Sequence, residues 1–187
     1  YFPSVSAGWM ISEEKFMKNC SNWLSMLKLR TSYGQTGNSN VGYRIYDYYE
    51  VGKNSIIGGA ESLGVYASDL GNRQLTWETT SEFNVGLDFG IINNRFKLTV
   101  EYFKRKITDL LVSNKSLPFY NEVNRIAANV GSTQSKGVEL TLNTVNFVTK
   151  NFDWNTTFTI SHYDDRWRTR DANWKPRAYE KADDPIR

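Results

Sequence analysis

Two carboxylate pairs, Asp164-Asp165 and Asp183-Asp184, are the residues best typed for chemistry, because adjacent hard oxygen ligands can hold Ca²⁺ when loops bring them together. Neither pair has an EF-hand ligand spacing, so solvated loop charge is the better account. One histidine, His162, and one cysteine, Cys20, leave no basis for a His-based metal site, a triad or an internal disulfide. Gly34-Gln35-Thr36-Gly37-Asn38 lacks the Gly-Lys-Ser/Thr ending of a phosphate cradle and no helix pattern follows it, so it reads as a turn at a strand rim. Arg166, Trp167, Arg168, Arg170 and Trp174 alternate basic and aromatic character, as single-stranded nucleic-acid grooves do. Interleaved Asp164, Asp165 and Asp171 weaken that field, and no nucleic-acid partner is expected. Loop structure, packing against a partner and stacking on a sugar are the better readings, in that order. Tyr43, Tyr46, Tyr48 and Tyr49 form a second aromatic group that could contact a ligand or partner; self-packing of a long loop is the reading it favours. The expectation is a protein without catalytic residues, cofactor or bound metal.

These groups hang on elements with a period of two. Phe83, Val85, Leu87 and Phe89 share one face of a strand, and Phe96, Leu98, Val100 and Tyr102 share one face of the next. Asn84, Gly86, Asp88, Lys97, Thr99 and Glu101 take the other face, and Ile91-Ile92-Asn93-Asn94 is the turn between. The same alternation runs through 1–11, 27–34, 138–143 and 154–161, giving six strands of roughly eight to twelve residues, close to the length that crosses a bilayer. Short and long connections alternate. Ser12 is expected to cap a short helix with Glu13 and Glu14 in its first turn, between strands one and two. The long segments are about 35–75, 108–135 and 164–187. A ribbon of this kind fits either a half-buried soluble sheet or the wall of a transmembrane β-barrel, and short turns at one end with long loops at the other favour the barrel.

Composition does not decide between them. The formal charge of +3 is small beside 23 basic and 20 acidic residues, so no acidic polymer is implied as partner. Mean hydropathy is −0.55 and no apolar run is long enough for a membrane helix, yet a barrel needs only alternate residues to meet lipid. Six Trp and eleven Tyr are a heavy load of side chains with apolar bodies and polar tips, common at membrane, carbohydrate and protein interfaces alike. Trp9, Trp77 and Trp154 fall near strand ends, where an aromatic girdle would place them. The chain opens at Tyr1-Phe2-Pro3 without an initiator Met or signal-peptide run, and is expected to be an internal segment.

Specific strings carry a resemblance. Phe2-Pro3-Ser4-Val5-Ser6-Ala7-Gly8-Trp9, Leu27-Lys28-Leu29-Arg30-Thr31-Ser32-Tyr33-Gly34-Gln35-Thr36-Gly37-Asn38, Leu75-Thr76-Trp77-Glu78, Asn84-Val85-Gly86-Leu87-Asp88-Phe89, Lys106-Ile107-Thr108-Asp109-Leu110-Leu111 and Lys136-Gly137-Val138-Glu139-Leu140 follow in the order seen in SusC/RagA-type TonB-dependent transporters. The chain resembles part of their barrel over most of its length. The resemblance implies an all-β, antiparallel segment of about six strands from a plugged 22-stranded barrel in the cell outer membrane. It implies import of oligosaccharides or peptides, driven by the TonB complex, with a SusD-like surface lipoprotein as partner.

The whole of 1–187 is then barrel wall, with extracellular loops at about 35–75, 108–135 and 164–187. Phe83, Val85, Leu87, Phe96, Leu98 and Val100 are expected to face membrane lipid, and Arg30, Asp88, Lys97 and Glu101 the lumen. Tyr46, Tyr48, Tyr49, Trp167 and Trp174 are the candidate contacts to substrate or lipoprotein. The alternative is a soluble secreted β-sandwich that binds carbohydrate through exposed aromatics; it would bury the alternating apolar face against a second sheet.

Overall fold

A computed structural model describes residues 1–40, 42, 44–118, 123 and 125–186. Six long strands form one antiparallel sheet: β1 Ser4–Met10, β2 Leu24–Asn38, β5 Glu78–Ile91, β6 Phe96–Thr108, β9 Ser132–Val148 and β10 Asp153–Thr169. Their order in the sheet is their order along the chain, so the wall is a simple meander. Two further hairpins, β3 Tyr48–Ile57 with β4 Ala60–Asp69 and β7 Leu111–Ser116 with β8 Arg125–Asn129, are separate two-stranded sheets within the long connections.

The register fixes the two faces. Trp9 pairs with Leu29, Leu29 with Leu87, Leu87 with Val100, Val100 with Leu140 and Leu140 with Ile160, an apolar row across all six strands. The neighbouring row on the same face, Leu27, Phe89, Leu98, Leu142 and Phe158, is equally apolar. One residue along, Gly8, Arg30, Gly86, Glu101, Glu139 and Ser161 make a polar row on the opposite face. A register slip of one residue would exchange these faces on any strand, so the pattern specifies the pairing strongly.

No second layer covers the apolar face among the described residues. Trp9 keeps 48% of its surface, Ile160 56% and Leu87 39%. The buried apolar side chains are Leu24, Val123, Ala127 and Ala128, and three of these lie in or beside β8, away from the sheet centre. A β-sandwich would concentrate its core between two sheets. Here, among the described residues, the six-stranded sheet contributes Leu24 alone, at the start of β2.

Short connections gather at one end. The β5 to β6 turn crosses through Ile92, Asn93 and Asn94, all left-handed at φ 52°, 52° and 60°. Asn tolerates that conformation, whereas a β-branched Ile does so rarely; the Ile92 amide, donating to the Trp23 carbonyl at 3.0 Å, fixes it against the preceding link. That link differs from the capped helix expected at Ser12. It is two 3-10 turns, Ile11–Glu13 and Lys15–Cys20, with Ser12 inside the first and no side-chain cap. Glu14 between them is extended, at φ −72° and ψ 147°, which stops helix propagation. Its carboxylate instead accepts a 2.9 Å hydrogen bond from Trp9 Nε1.

Strands run further than alternation alone marked. β9 and β10 are 17 residues each, and β2 and β10 continue into the segments expected to be loops. Trp167 is therefore a strand residue, and two of the three long segments, about 35–75 and 108–135, are structured by their own hairpins.

Candidate functional site

Arg30 organises the polar face. Its Nε donates to Asp88 Oδ2 at 2.9 Å, its Nη2 to Asp88 Oδ1 at 3.3 Å, and the same Nη2 lies 3.6 Å from Glu101 Oε2. Thr99 Oγ1 donates to Asp88 at 3.1 Å. Gly86 makes this possible, since it stands between Arg30 and Glu101 in the row and a Cβ there would lie 2.9 Å from Arg30 Nη2. Further along, Arg105 and Asn84 both hold Glu82, at 2.6 Å and 3.0 Å. Glu101 faces Glu139 directly, an opposition of like charge that is mildly unfavourable. A groove of about 400 Å³ runs here, lined by Glu82, Glu101, Arg105, Glu139 and Asp165 among others. Such a surface suits hydrated polar cargo or a polar packing partner.

The long connections are tied into one cap at the opposite end from the short turns. Asn129 Nδ2 donates to the carbonyls of Thr76 and Asp109, while its Oδ1 accepts from the Thr76 amide. Asn72 Nδ2 donates to the Ala127 carbonyl at 2.9 Å, and Arg44 reaches the Ser113 carbonyl at 3.2 Å. Lys115 Nζ pairs with Asp171 Oδ2 at 2.7 Å, joining β7 to the segment after β10. That ammonium, helped by the Asn173 amide, holds the Asp171 carboxyl below the ordinary Asp range. These polar ties were not foreseen from sequence. Single Asn and Lys residues in irregular segments carry no periodic signal.

The candidate contact residues separate into two groups. Trp167 and Trp174 come together around one guanidinium, with Arg170 Cζ 4.9 Å from the Trp167 ring and 4.3 Å from the Trp174 ring. This stack organises the segment after β10, the loop-structure reading of those aromatics. Tyr48 and Tyr49 open β3 and Tyr46 precedes it, all three exposed. Tyr43 lies outside the described residues. The β3–β4 hairpin also leaves Val51, Ile56, Ile57, Leu63 and Val65 exposed, an apolar surface beside the tyrosines.

The two aspartate pairs do approach each other. The Ile186 amide donates to the Asp165 carbonyl and the Trp167 amide to the Asp184 carbonyl, folding the end of the chain against β10. Arg166 stands among them, 2.7 Å from Asp164, and Asp184 accepts from the Lys181 amide. Among the described residues no cluster of three acidic, His or Cys side chains could hold a metal ion.

An amphipathic antiparallel meander with short turns at one end and a tied cap at the other defines a segment of β-barrel wall. Comparison with known proteins agrees: residues 1–185 match the TonB dependent receptor-like β-barrel family, and the chain belongs to it. It is 37% identical over 162 residues to a TonB-dependent receptor of Formosa agariphila and 36% identical over 165 residues to the TonB-dependent receptor SusC of Bacteroides thetaiotaomicron. Each match covers 86% of this chain and 16% of the relative, so the chain spans about one sixth of the length of these relatives. Two structures of RagAB, described as a peptide transporter and as a peptide importer in a closed-closed state, superpose with TM-scores of 0.77 and 0.78 at 31% identity. They are matched over 90% of this chain and 18% of theirs.

Proposed function

We propose that the chain is a stretch of wall in an outer-membrane transporter that imports oligosaccharides or peptides, using the TonB complex for energy and a SusD-like surface lipoprotein as partner. The observation that carries this reading is the unbroken apolar face of the six-stranded sheet, uncovered from Trp9 to Ile160. In a bilayer, Phe83, Val85, Leu87, Phe96, Leu98 and Val100 meet lipid, and the strand ladder satisfies the backbone groups that lipid cannot. Arg30, Asp88, Lys97 and Glu101 then face the lumen, where water or a plug domain solvates them.

The segments at about 35–75, 108–135 and 164–187 are the extracellular part. RagAB's description as a peptide transporter supports a peptide cargo, and an oligosaccharide is the other cargo that the SusC/RagA resemblance implies; the wall serves either. Tyr46, Tyr48, Tyr49 and the apolar β3–β4 hairpin are the surface for the lipoprotein or substrate, whereas Trp167 and Trp174 act there through the Arg170 stack. The wall performs no bond chemistry.

The test is a pair of adjacent substitutions in the full-length protein, Leu98→Arg and Thr99→Arg, read by the shift in gel mobility between boiled and unboiled outer-membrane samples. Leu98→Arg abolishes or weakens the heat-resistant barrel and Thr99→Arg does not. Equal tolerance at both positions would sink the assignment.

A further inference from the structure

The apolar face does not stay apolar along its whole height. On β6 the face runs Phe96, Leu98, Val100, Tyr102 and then Lys104 and Lys106. Lys104 lies between Phe83 on β5 and Lys136 on β9, and Lys106 between Ser81 and Gln134. Two of the three ammonium groups therefore share a row with Tyr33 and Phe83, one step beyond Tyr102, and the third, on Lys106, lies one step further on the same face. All three are exposed and none makes a hydrogen bond or ion pair.

The other charges on this face are accounted for. Asp164, opposite Lys136 and within reach of its field, is held at 2.7 Å by Arg166, which also feels Asp183 and Asp184. Arg168 is engaged by Gln134 Oε1 at 3.0 Å. Lys104 directly opposite Lys136 is a like-charge pairing that destabilises a sheet on its own. An anion bridging the two would remove that penalty. Neighbouring strands are about 4.8 Å apart and alternate residues about 7 Å apart, so Lys104, Lys106 and Lys136 form a triangle of phosphate-binding size.

The level is right for a headgroup. Lys104 is eight residues from Phe96, about 27 Å along the strand. A strand tilt of about 40° reduces this to about 20 Å along the membrane normal. The lysine stem covers the remaining distance to the edge of an apolar band about 25 Å tall.

We propose that Lys104, Lys106 and Lys136 bind the phosphate of an anionic lipid headgroup in the outer leaflet. The proposal rests on the wall reading given above. Its experiment uses the full-length protein reconstituted into vesicles of a bisphosphorylated lipid, or of the same lipid dephosphorylated, followed by detergent extraction and measurement of retained lipid. Retention is greater for the phosphorylated lipid and falls about five-fold for each lysine changed. Lys104→Glu is the most informative variant, because it replaces the repulsive pair with an attractive one; it keeps or raises the temperature of the heat-modifiability transition while losing lipid. Equal retention of both lipids by the wild type, or unchanged retention in a heat-modifiable Lys104→Glu/Lys136→Gln variant, overturns the headgroup site and leaves the wall reading standing. Complete displacement by millimolar inorganic phosphate overturns it in favour of a free-anion site. Absence of heat modifiability in the wild type overturns both.

Discussion

An arginine scan along the apolar face of β6 turns the wall reading into a depth profile. Phe96, Leu98, Val100 and Tyr102 are successive residues of that face, each about 6.8 Å further along the strand. At a tilt of about 40° each step rises about 5 Å, which puts Phe96 at one edge of a band about 25 Å tall, Leu98 about 5 Å inside it, and Val100 and Tyr102 on either side of its midplane. Arginine at the midplane of such a wall costs about 2 to 4 kcal/mol and near the interfaces about 0 to 1. Measured against alanine at the same position, Val100→Arg and Tyr102→Arg are then the most damaging, Leu98→Arg intermediate, and Phe96→Arg mild. The wild-type Lys104, one step further at about 20 Å, is tolerated because its stem carries the ammonium to the edge of the band. The assay is denaturant unfolding of the full-length protein in detergent-stabilised or vesicle-inserted form, followed by tryptophan fluorescence. A flat profile would refute the reasoning, as would equal costs for Thr99→Arg on the opposite face, because burial under a second protein layer does not vary with membrane depth.

Three other outcomes follow from the geometry. Gly86→Val displaces the Arg30 guanidinium and costs about 1 kcal/mol, the upper end for a partly exposed ion pair; combined with Asp88→Asn the losses are less than additive in the same unfolding assay. Arg170→Ala removes two cation–π contacts worth about 0.5 to 1 kcal/mol each, and limited proteolysis detects faster cleavage in 170–186, with Trp167 and Trp174 still in place. The Asp171 carboxyl is held below its ordinary value, so its contribution is complete above about pH 4 and disappears as pH falls through the lowered value. Hydrogen exchange in β7 and β8, corrected for intrinsic rates, stays constant between neutral pH and about pH 5 and accelerates below about pH 4, a dependence that Asp171→Asn abolishes.

The wall was legible because one physical demand, an apolar side and a polar side, writes itself into every second residue. All six alternating runs are strands of one sheet, and Phe83 to Phe89 and Phe96 to Tyr102 share the face their spacing implied. The hairpins were illegible for the opposite reason. Gly52 at φ 155° and a register shift between Val51 and Lys53 break the period in β3. A usable signal was present in Gly58-Gly59, both left-handed at φ 62° and 82°, which is the two-residue hairpin turn that glycine permits. β8 buries adjacent Ala127 and Ala128, a pattern with no period at all. Ser12 had the chemistry of a cap, but the extended Glu14 leaves no helix long enough to need one.

The meander order of the wall also sets a timetable for assembly. Every long strand pairs with its neighbours in chain order, and β5 and β6 are joined by only the four residues 92–95, so that hairpin closes with little loop entropy to overcome, whereas pairing β2 with β5 and β6 with β9 must close the long connections. The cap cannot keep that pace. Its ties join Thr76 to Asn129 and Arg44 to Ser113, separated by 53 and 69 residues, and they close only after the intervening strands have brought both ends to the same rim. The sheet is therefore paired before its rim is tied, and the rim is the last part of this segment to become ordered.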